Sequence, residues 1–336
     1  MSYDLAGLGN ALMDALVITE DDQLLSDLGL VRGTMHPVDD AGWQVIFNKL
    51  GPCEVLYESG GSCANTIATA GRLGANAIYR GQVGRDALGQ KYRERMLEAT
   101  GHDALVESSD VATGKCLSLV SKHDAERTMV TDLGAAVSMP SLGEFRDVVP
   151  QSKIVHFTGY TLLDGPMLPV VMEAMAMAKA AGAKISLDVA DPFVVQAIRD
   201  RTWQVIDEYA DIVFLNSEEA RALTGQSPED SVNVVANEAR VETVVVKLGS
   251  RGSLVRHGDD VHQVAVKPVD AVDTTGAGDA YAGGFLFGML QGWDAAACGA
   301  LGSAVAARTV AQLGAVVTDR DALASDVADV LGNASR

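Results

Sequence analysis

The pattern of apolar and polar positions changes character about a third of the way along the chain. In the C-terminal two thirds, short β-branched runs alternate with longer stretches of helical periodicity. The runs with strand character are residues 153–157, 184–189, 212–215 and 243–247, and the helical stretches among them are 166–181 and 192–209. Strands separated by helices are typical of a largely parallel sheet with helices on both faces. The predicted fold class is therefore α/β.

The first third of the chain lacks this alternation. Residues 5–9 have the pattern of a central strand, whereas 15–19 and 34–38 are short pieces separated by polar turns. Residues 115–121 and 127–131, joined by a five-residue loop, resemble a hairpin. Short strands without partnering helices cannot build a parallel sheet alone. We therefore expect a small β-sheet lid, formed from about 11–50 and 105–135, on a single domain of residues 1–336 whose remainder is the large α/β part.

Composition and charge narrow the classes of partner. The 336 residues include 26 Lys and Arg against 45 Asp and Glu, a net charge of −19, and 48% hydrophobic residues. An acidic protein repels nucleic acid and anionic lipid at long range, so we expect neither as a partner. An anionic ligand would then need a local site of backbone amides, a metal ion and a few cations. The acidity is also compatible with a general role in solubility.

Cysteine usage and the apolar segments indicate a cytoplasmic protein. The four cysteines are scattered without a CxxC pair, which fits reduced thiols and predicts no zinc site. The N-terminal residues lack the basic and apolar regions of a signal peptide. Residues 295–317 are apolar but contain Arg308 and several glycines, so we interpret them as a buried helix and expect no membrane span.

The strongest chemical motif is residues 273–279, Asp-Thr-Thr-Gly-Ala-Gly-Asp, followed by an apolar helical stretch. The glycines permit a tight turn, and the free amides at the start of the following helix form an anion site. An aspartate beside that site can accept a proton from a substrate hydroxyl while the amides hold the charge on a phosphoryl group. The competing interpretation is that Asp279 only caps the helix.

This motif closely resembles the C-terminal signature of the PfkB (ribokinase-like) family of carbohydrate and nucleoside kinases. Residues 60–66, Gly-Gly-Ser-Cys-Ala-Asn-Thr, together with Leu73-Gly74 and 81–89, look like the family's N-terminal signature. The two matches lie in the family's order along the chain. The resemblance implies a ribokinase-like fold, a mostly parallel central sheet with a small β-sheet lid, and an ATP-dependent kinase.

The resemblance also implies the roles of individual residues. Asp279 corresponds to the catalytic base, and Gly276, Ala277 and Gly278 correspond to the anion hole. Arg127 corresponds to a lid cation that meets the transferred phosphate, although an exposed charge on a hairpin is its other interpretation.

The resemblance assigns acceptor binding to the N-terminal half. The residues implied are Asn10, Asp14, Gly61, Ser62, Asn65, Leu133, Ala135 and Tyr160. Carboxylate and amide groups together suit a vicinal diol, and apolar walls suit a purine. The competing interpretations are a solvated turn residue for Asp14, a helix cap for Asn65 and core packing for Tyr160.

ATP and Mg²⁺ are the implied cofactors, and K⁺ is a further candidate. The nucleotide and magnesium side is assigned to Asn216, Glu219, Lys247, Gly249, Gly252 and Ser303. Lys247 stands where many members of the family have threonine, and Asn216 with Glu219 is also an ordinary helix-capping pattern. The monovalent-cation site is assigned to Asp273, Thr275, Gln312, Gly314 and Thr318.

Within the family the chain looks most like the adenosine kinases. The long segment between Asp14 and Gly60 and the Gly-Gly-Ser-x-x-Asn form of the first signature favour a nucleoside acceptor over ribose or fructose. A sugar kinase, a non-catalytic binding member of the family, and a dinucleotide-dependent oxidoreductase suggested by Gly7-Leu8-Gly9 are the alternatives. The last fails on sequence because Leu12 stands where the third glycine is required. We expect a monomer or a homodimer with a small-molecule substrate.

Overall fold

Two main β-sheets, of eight and five strands, and a separate two-stranded pair organise the chain in the computed structural model, which describes residues 2–19, 22–123, 126–266 and 268–334. The strands are β1 (Tyr3–Leu8), β2 (Leu12–Thr19), β3 (Met35–Pro37), β4 (Leu56–Gly60), β5 (Ala77–Arg80), β6 (Gln82–Gly84), β7 (Val106–Ser108), β8 (Gly114–Ser121), β9 (Arg127–Asp132), β10 (Ser152–Thr158), β11 (Lys184–Asp188), β12 (Ile212–Asn216), β13 (Thr243–Lys247), β14 (Ser253–His257) and β15 (Asp260–Val264). The helices are α1 (Asp22–Asp27), α2 (Asp40–Lys49), α3 (Ser62–Leu73), α4 (Ala87–Thr100), α5 (Phe145–Val148), α6 (Met167–Ala181), α7 (Pro192–Tyr209), α8 (Ser217–Thr224), α9 (Pro228–Glu238), α10 (Ala277–Leu290), α11 (Ala295–Val310) and α12 (Arg320–Ala334).

The large sheet has the strand order β15-β14-β13-β12-β11-β10-β1-β5. All neighbours from β5 to β13 are parallel, and β14 and β15 add an antiparallel edge. Alternate residues of one strand enter different cores: Val213 and Leu215 pack with α6 to α9, whereas Ile212 and Phe214 pack with α3, α10 and α11. This alternation explains why the central strands are apolar without a break, since both faces are covered. The predicted α/β class with helices on both faces is confirmed.

The small sheet has the order β3-β9-β8-β2-β4. One of its faces packs against α1 and α2 through a separate apolar core that contains Val17, Trp43, Leu117 and Val130. Side chains alternate between the faces of a strand, so Asp14 lies on the opposite face from Ala15 and Val17. The predicted second, smaller lid sheet is therefore present.

Two details differ from the sequence-based expectation. The lid does not consist of strands alone, because the helices α1 and α2 lie within the segment between Asp14 and Gly60. The apolar segment 295–317 is helical only as far as Val310, and turns follow it. The hairpin of β8 and β9 is antiparallel as predicted, but two residues of its loop, Asp124 and Ala125, lie outside the described residues. Across the described ranges, the structure contains no helix long and apolar enough to cross a membrane.

Candidate active site

Asp279 lies where the two signature segments meet. It is the third residue of α10, and its carboxylate accepts hydrogen bonds from Ser62 Oγ at 2.6 Å and Asn65 Nδ2 at 2.8 Å. Both donors stand in the first turn of α3, more than 200 positions earlier in the chain. The first helical residue is preceded by Gly276 in α10 and by Gly61 in α3, and neither helix has a side-chain cap. Capping is therefore the wrong interpretation for both Asp279 and Asn65.

Two glycines allow the segment that contains Asn10 and Asp14 to pack closely against the chain just before α3. Gly61 has φ of +94°, and a Cβ atom on it would lie 2.0 Å from the carbonyl oxygen of Asn10. A Cβ atom on Gly60 would lie 2.2 Å from Oδ2 of Asp14, so only glycine lets this carboxylate rest against the backbone of β4. Asp14 belongs to the interior of β2, opposite Glu58 of β4. It is therefore not a solvated turn residue.

The carboxylates of the site are held in a poorly solvated environment. Burial raises the pKa of Asp14 to about 7, with the nearby charge of Arg127 opposing the shift and those of Asp273, Asp279 and Glu58 adding to it. Burial also raises the pKa of Asp279, against the hydrogen bonds from Ser62 and Asn65. Perturbed carboxylates of this kind cluster at functional sites.

Two amide oxygens beside these carboxylates are buried without a hydrogen-bond donor in the described part of the chain: Oδ1 of Asn10 and Oδ1 of Asn65. The amide nitrogen of Asn10 donates to the carbonyl of Ala136 at 3.1 Å, and that of Asn65 donates to Asp279. Leaving a buried polar atom unpaired is costly. The site therefore lacks donors that a hydroxyl-bearing ligand can supply.

The turn before α10 has the geometry of an anion site. Gly276 has φ of +68°, and a Cβ atom there would lie 2.4 Å from Cβ of Ala315. As at the start of any helix, the N–H groups of Gly278 and Asp279 have no intrahelical acceptor. They are available to an anion at the positive end of the helix dipole.

Comparisons with known proteins identify the family of the chain. The family model described as pfkB family carbohydrate kinase matches residues 51–321. The chain belongs to this family of kinases. The adenosine kinase of Saccharomyces cerevisiae is 30% identical over 340 residues, which cover 94% of this chain and 96% of the relative. The kinase is thus a phosphotransferase of adenosine-kinase-like sequence, and its predicted family is confirmed.

Solved structures show the same relationship. The adenosine kinase from Sinorhizobium meliloti superposes with a TM-score of 0.86 and 31% identity, and 98% of this kinase and 100% of that chain are covered. A probable sugar kinase from Rhizobium etli gives a TM-score of 0.87 and 29% identity, with 98% and 99% covered. The ribokinase-like fold is confirmed. PfkB kinases use ATP with a divalent metal ion.

Asp188, Asn216 and Lys247 lie at the carboxyl ends of three neighbouring strands, β11, β12 and β13, where the nucleotide side of the site was predicted. Asn216 caps α8, and the Glu219 carboxylate accepts a hydrogen bond from the Asn216 backbone N–H at 2.7 Å. The capping interpretation is confirmed. Glu219 is also 2% exposed, and burial raises its pKa, with the charge of Asp188 adding to the shift.

The remaining predicted nucleotide residues surround this edge. Gly249 and Gly252 bound the turn between β13 and β14, with φ of +61° and +87°. Ser303 of α11 is buried and donates to the carbonyl of Ala265 at 3.1 Å. In the described residues, no group of three or more His, Cys, Asp or Glu side chains could hold a metal ion by itself.

The structure brings most of the predicted monovalent-cation residues together. The carboxylate of Asp273 is fully buried and accepts hydrogen bonds from Thr275 N at 2.9 Å, from the Thr275 hydroxyl and from Gly314 N at 3.0 Å. It thereby joins the loop before α10 to the loop after α11. The side chain of Gln312 instead donates to the Val316 carbonyl at 3.2 Å, and the Thr318 carbonyl accepts from Arg72 at 3.5 Å.

The predicted base-pocket residues differ in exposure. Leu133 is 44% exposed at the end of β9, whereas Ala135 is fully buried in the next turn. Tyr160 is 38% exposed and donates to Asp191 at 3.2 Å, so core packing is the wrong interpretation for it. Arg127 of β9 is half-buried and shares with Asp14 the lid face that is turned away from α1 and α2.

Asp188 and Asp191 are the neighbours of the site that sequence reasoning missed. Asp188 pairs with Lys247 through a 2.6 Å contact, and Asp191 holds the Tyr160 hydroxyl. Neither aspartate belongs to a motif. The available signal was positional, because ligands of open parallel sheets bind beyond the carboxyl ends of the strands, where Asp188 lies.

Proposed function

We propose that this kinase transfers the γ-phosphoryl group of ATP to the 5′-hydroxyl of adenosine or a related nucleoside, with Mg²⁺ as the metal ion. The observation that carries the proposal is the set of hydrogen-bond acceptors formed by Asp14, Asn10 and Asn65. Asp14 and the unpaired oxygens of Asn10 and Asn65 match the donors of a ribose ring. A ligand that supplied those donors would remove the cost of the unpaired atoms.

The choice of a nucleoside over a free sugar rests on the turn after β9. The Asn10 side chain contacts the carbonyl of Ala136, so this turn adjoins the hydroxyl acceptors. Leu133, at the start of that turn, presents an exposed apolar side chain. An apolar wall beside a diol-binding group suits a purine, which needs flat apolar surfaces and few hydrogen bonds. Tyr160 would supply an aromatic wall from the large domain.

Asp279 would act as the general base. Its carboxylate would take the proton of the 5′-hydroxyl as the new O–P bond forms and the bond between the γ-phosphorus and the bridging oxygen breaks. The amides of Gly276, Ala277 and Gly278 would hold the charge on the transferred group, and Arg127 would meet it from the lid. The hydrogen bonds from Ser62 and Asn65 hold the Asp279 carboxylate in one orientation towards the hydroxyl.

Mg²⁺ would bind through the nucleotide phosphates, water and the region of Asn216 and Glu219. A single buried carboxylate fits an ion that keeps several waters and takes few protein ligands. When bound, the ion neutralises phosphate charge. Gly249, Gly252 and Ser303 would border the nucleotide.

A monovalent cation, such as K⁺, is proposed at the loops joined by Asp273. The carboxylate of Asp273 already accepts three hydrogen bonds, so the direct ligands would be backbone carbonyl oxygens near Thr275, Gln312, Gly314 and Thr318. The check is the dependence of turnover on KCl against choline chloride at equal ionic strength.

The second candidate is a sugar kinase that acts on ribose or fructose. The likeness to the probable sugar kinase from Rhizobium etli favours it, and the hydroxyl acceptors alone do not discriminate against it. The walls proposed at Leu133 and Tyr160 are what separate the two candidates.

A coupled assay of ADP release with adenosine, inosine, ribose and fructose tests the proposal. We expect adenosine to give the highest kcat/KM, at least about 100-fold above ribose, because burying a purine contributes several kcal/mol that ribose cannot. A preference for ribose or fructose would replace the nucleoside proposal with the sugar kinase.

A further inference from the structure

Lys247 is a charged side chain in a position that the mechanism above leaves without a defined role. It is the last residue of β13, and its Nζ atom lies 2.6 Å from Oδ2 of Asp188 on β11. Within the described residues this carboxylate is the only hydrogen-bond acceptor of the ammonium group. An ammonium has three donors, so two remain for another acceptor.

The free side of the ammonium faces the anion hole. A Cβ atom on Gly278 would lie 3.0 Å from Nζ of Lys247, so the ammonium rests beside the backbone of that glycine. Gly278 is the second residue of α10 and directly precedes Asp279. A side chain at this position would crowd the ammonium. Because residue 278 is a glycine, the start of the helix has room for both the ammonium of Lys247 and an anion bound by the helix amides.

Lys247 keeps its charge despite its surroundings. Burial lowers the pKa of Lys247, but the charges of Asp188 and Glu219 outweigh this effect, and the net shift is upward. The side chain of Asp188 is 3% exposed and that of Lys247 is 14% exposed, so the lysine is the less deeply buried member of the pair. The carboxylates of Asp188, Glu219 and Asp279 all act on this one ammonium.

An incoming polyphosphate meets an excess of negative charge here. A cation that is already oriented, with two donors unused, reduces that repulsion at no reorganisation cost. An ion pair with a purely structural role would use all the donors of the ammonium. The two unused donors of Lys247 and its position beside Gly278 distinguish it from such a pair.

We propose that Lys247 is a further catalytic residue, which donates hydrogen bonds to the γ-phosphoryl oxygens of ATP during transfer, with Asp188 holding it in place. The proposal rests on ATP as phosphoryl donor and not on the choice of adenosine as acceptor. As the acceptor oxygen bonds to the γ-phosphorus, the bond to the bridging oxygen breaks and its electron pair leaves with ADP. The acceptor proton goes to Asp279, and Lys247 remains protonated throughout.

Two other roles would give different results. Lys247 could only neutralise Asp188, or it could act only by keeping Asp279 ionised. The variants that separate these roles are K247M, which removes the charge, and K247M/D188N, which removes both members of the pair. K184M is the matched control, because Lys184 begins β11 at the far end of the sheet and pairs with Glu242 at the surface.

The first measurement is nucleotide binding by calorimetry, which needs no acceptor. In K247M we expect the Kd of MgATP to rise roughly 10- to 100-fold, as for a lost charged hydrogen bond, and the Kd of MgADP to change by less than about threefold. Equal weakening of both nucleotides would overturn the proposal, because the γ-phosphate would then not be the group contacted. K184M should match the wild type in both.

The second measurement is kcat and thermal stability, with whichever acceptor of the panel the wild type phosphorylates fastest. K247M should lose roughly 10²- to 10³-fold in kcat at every pH from about 6 to 9. K247M/D188N should recover the melting temperature without recovering kcat. Recovery of kcat in the double variant would reduce Lys247 to a structural partner of Asp188. A deficit that disappears at high pH would show that it acts only through Asp279. If adenosine is not phosphorylated, the proposed acceptor is wrong, but the binding and kinetic measurements on the Lys247 variants still test the role of Lys247.

Discussion

Replacement of Asp279 by asparagine tests the role of the carboxylate in catalysis separately from its effect on the stability of the fold. Asparagine has nearly the same shape, and its amide group can keep one contact with Asn65 while the Ser62 hydroxyl rotates to donate or accept. The substitution removes the proton acceptor. A positioned general base contributes about 10²- to 10⁴-fold, or about 2.7–5.4 kcal/mol of barrier, so kcat should fall by that factor.

The same variant should not lose stability. Burial raises the pKa of Asp279 in spite of two hydrogen bonds. The cost of desolvating the carboxylate is therefore larger than the stabilisation that the hydrogen bonds from Ser62 and Asn65 give to its charge. A carboxyl whose pKa is raised on folding stabilises the protein when it is protonated, and that contribution is lost as the pH rises through the folded pKa. A neutral asparagine at pH 8 avoids the cost of the buried charge. The melting temperature of D279N should therefore equal or exceed that of the wild type.

Steady-state kinetics, calorimetric binding of the acceptor and thermal unfolding at pH 8 test the two expectations together. Acceptor affinity should change by less than about threefold, because the base acts on the transition state and not on the bound ground state. A kcat within tenfold of the wild type would refute Asp279 as the base. A marked fall in melting temperature would refute the view that its burial outweighs its hydrogen bonds.

Three further predictions concern other parts of the site. Because burial raises the pKa of Asp14 to about 7, the charge of this carboxylate, which we propose binds the acceptor, is lost as the pH falls; the acceptor KM should rise up to tenfold per pH unit below about 7, and D14N should show a flat profile. The substitution G276A should cost more in urea unfolding than G182A, since both glycines have positive φ but only Gly276 would place a Cβ atom 2.4 Å from Ala315; equal costs would contradict the steric argument. The substitution L133N should raise the KM for adenosine roughly 5- to 30-fold and leave that for ribose unchanged, which parallel kinetics with both acceptors would check.

The pattern of apolar residues along the chain predicted the large sheet, because its strands are buried on both faces. Such strands are unbroken apolar runs, and β13 begins and ends at the predicted residues, 243–247. The lid was predicted less fully, since α2 is a polar helix with a narrow buried stripe. Its signals were present: Asp39 caps it through Gly42 N, and Trp43 and Phe47, four residues apart, stack on one face.

The candidate site was predictable where its residues belong to motifs. The glycine-rich turn and the first turn of α3 are both visible in the sequence, and the structure brings them together at Asp279. The pair of Asp188 and Lys247 was not predictable as a pair, because 59 positions separate them and the contact depends on strand order. The sequence likewise gives no means to see that Asp14 rests on Gly60, which follows from the register of β2 against β4.

The two sheets are connected at their first junction by a very short piece of chain. β1 of the large sheet ends at Leu8 and β2 of the lid sheet begins at Leu12, so only Gly9, Asn10 and Ala11 lie between them. A second link is equally short, since β4 of the lid sheet ends at Gly60 and α3 begins at Ser62. Ser62 and Asn65 of α3 hold the carboxylate of Asp279, so these two links set the distance between Asp14 and Asp279. An acceptor bound at both carboxylates, as we propose, must match that distance, and a shorter molecule would contact only one of them.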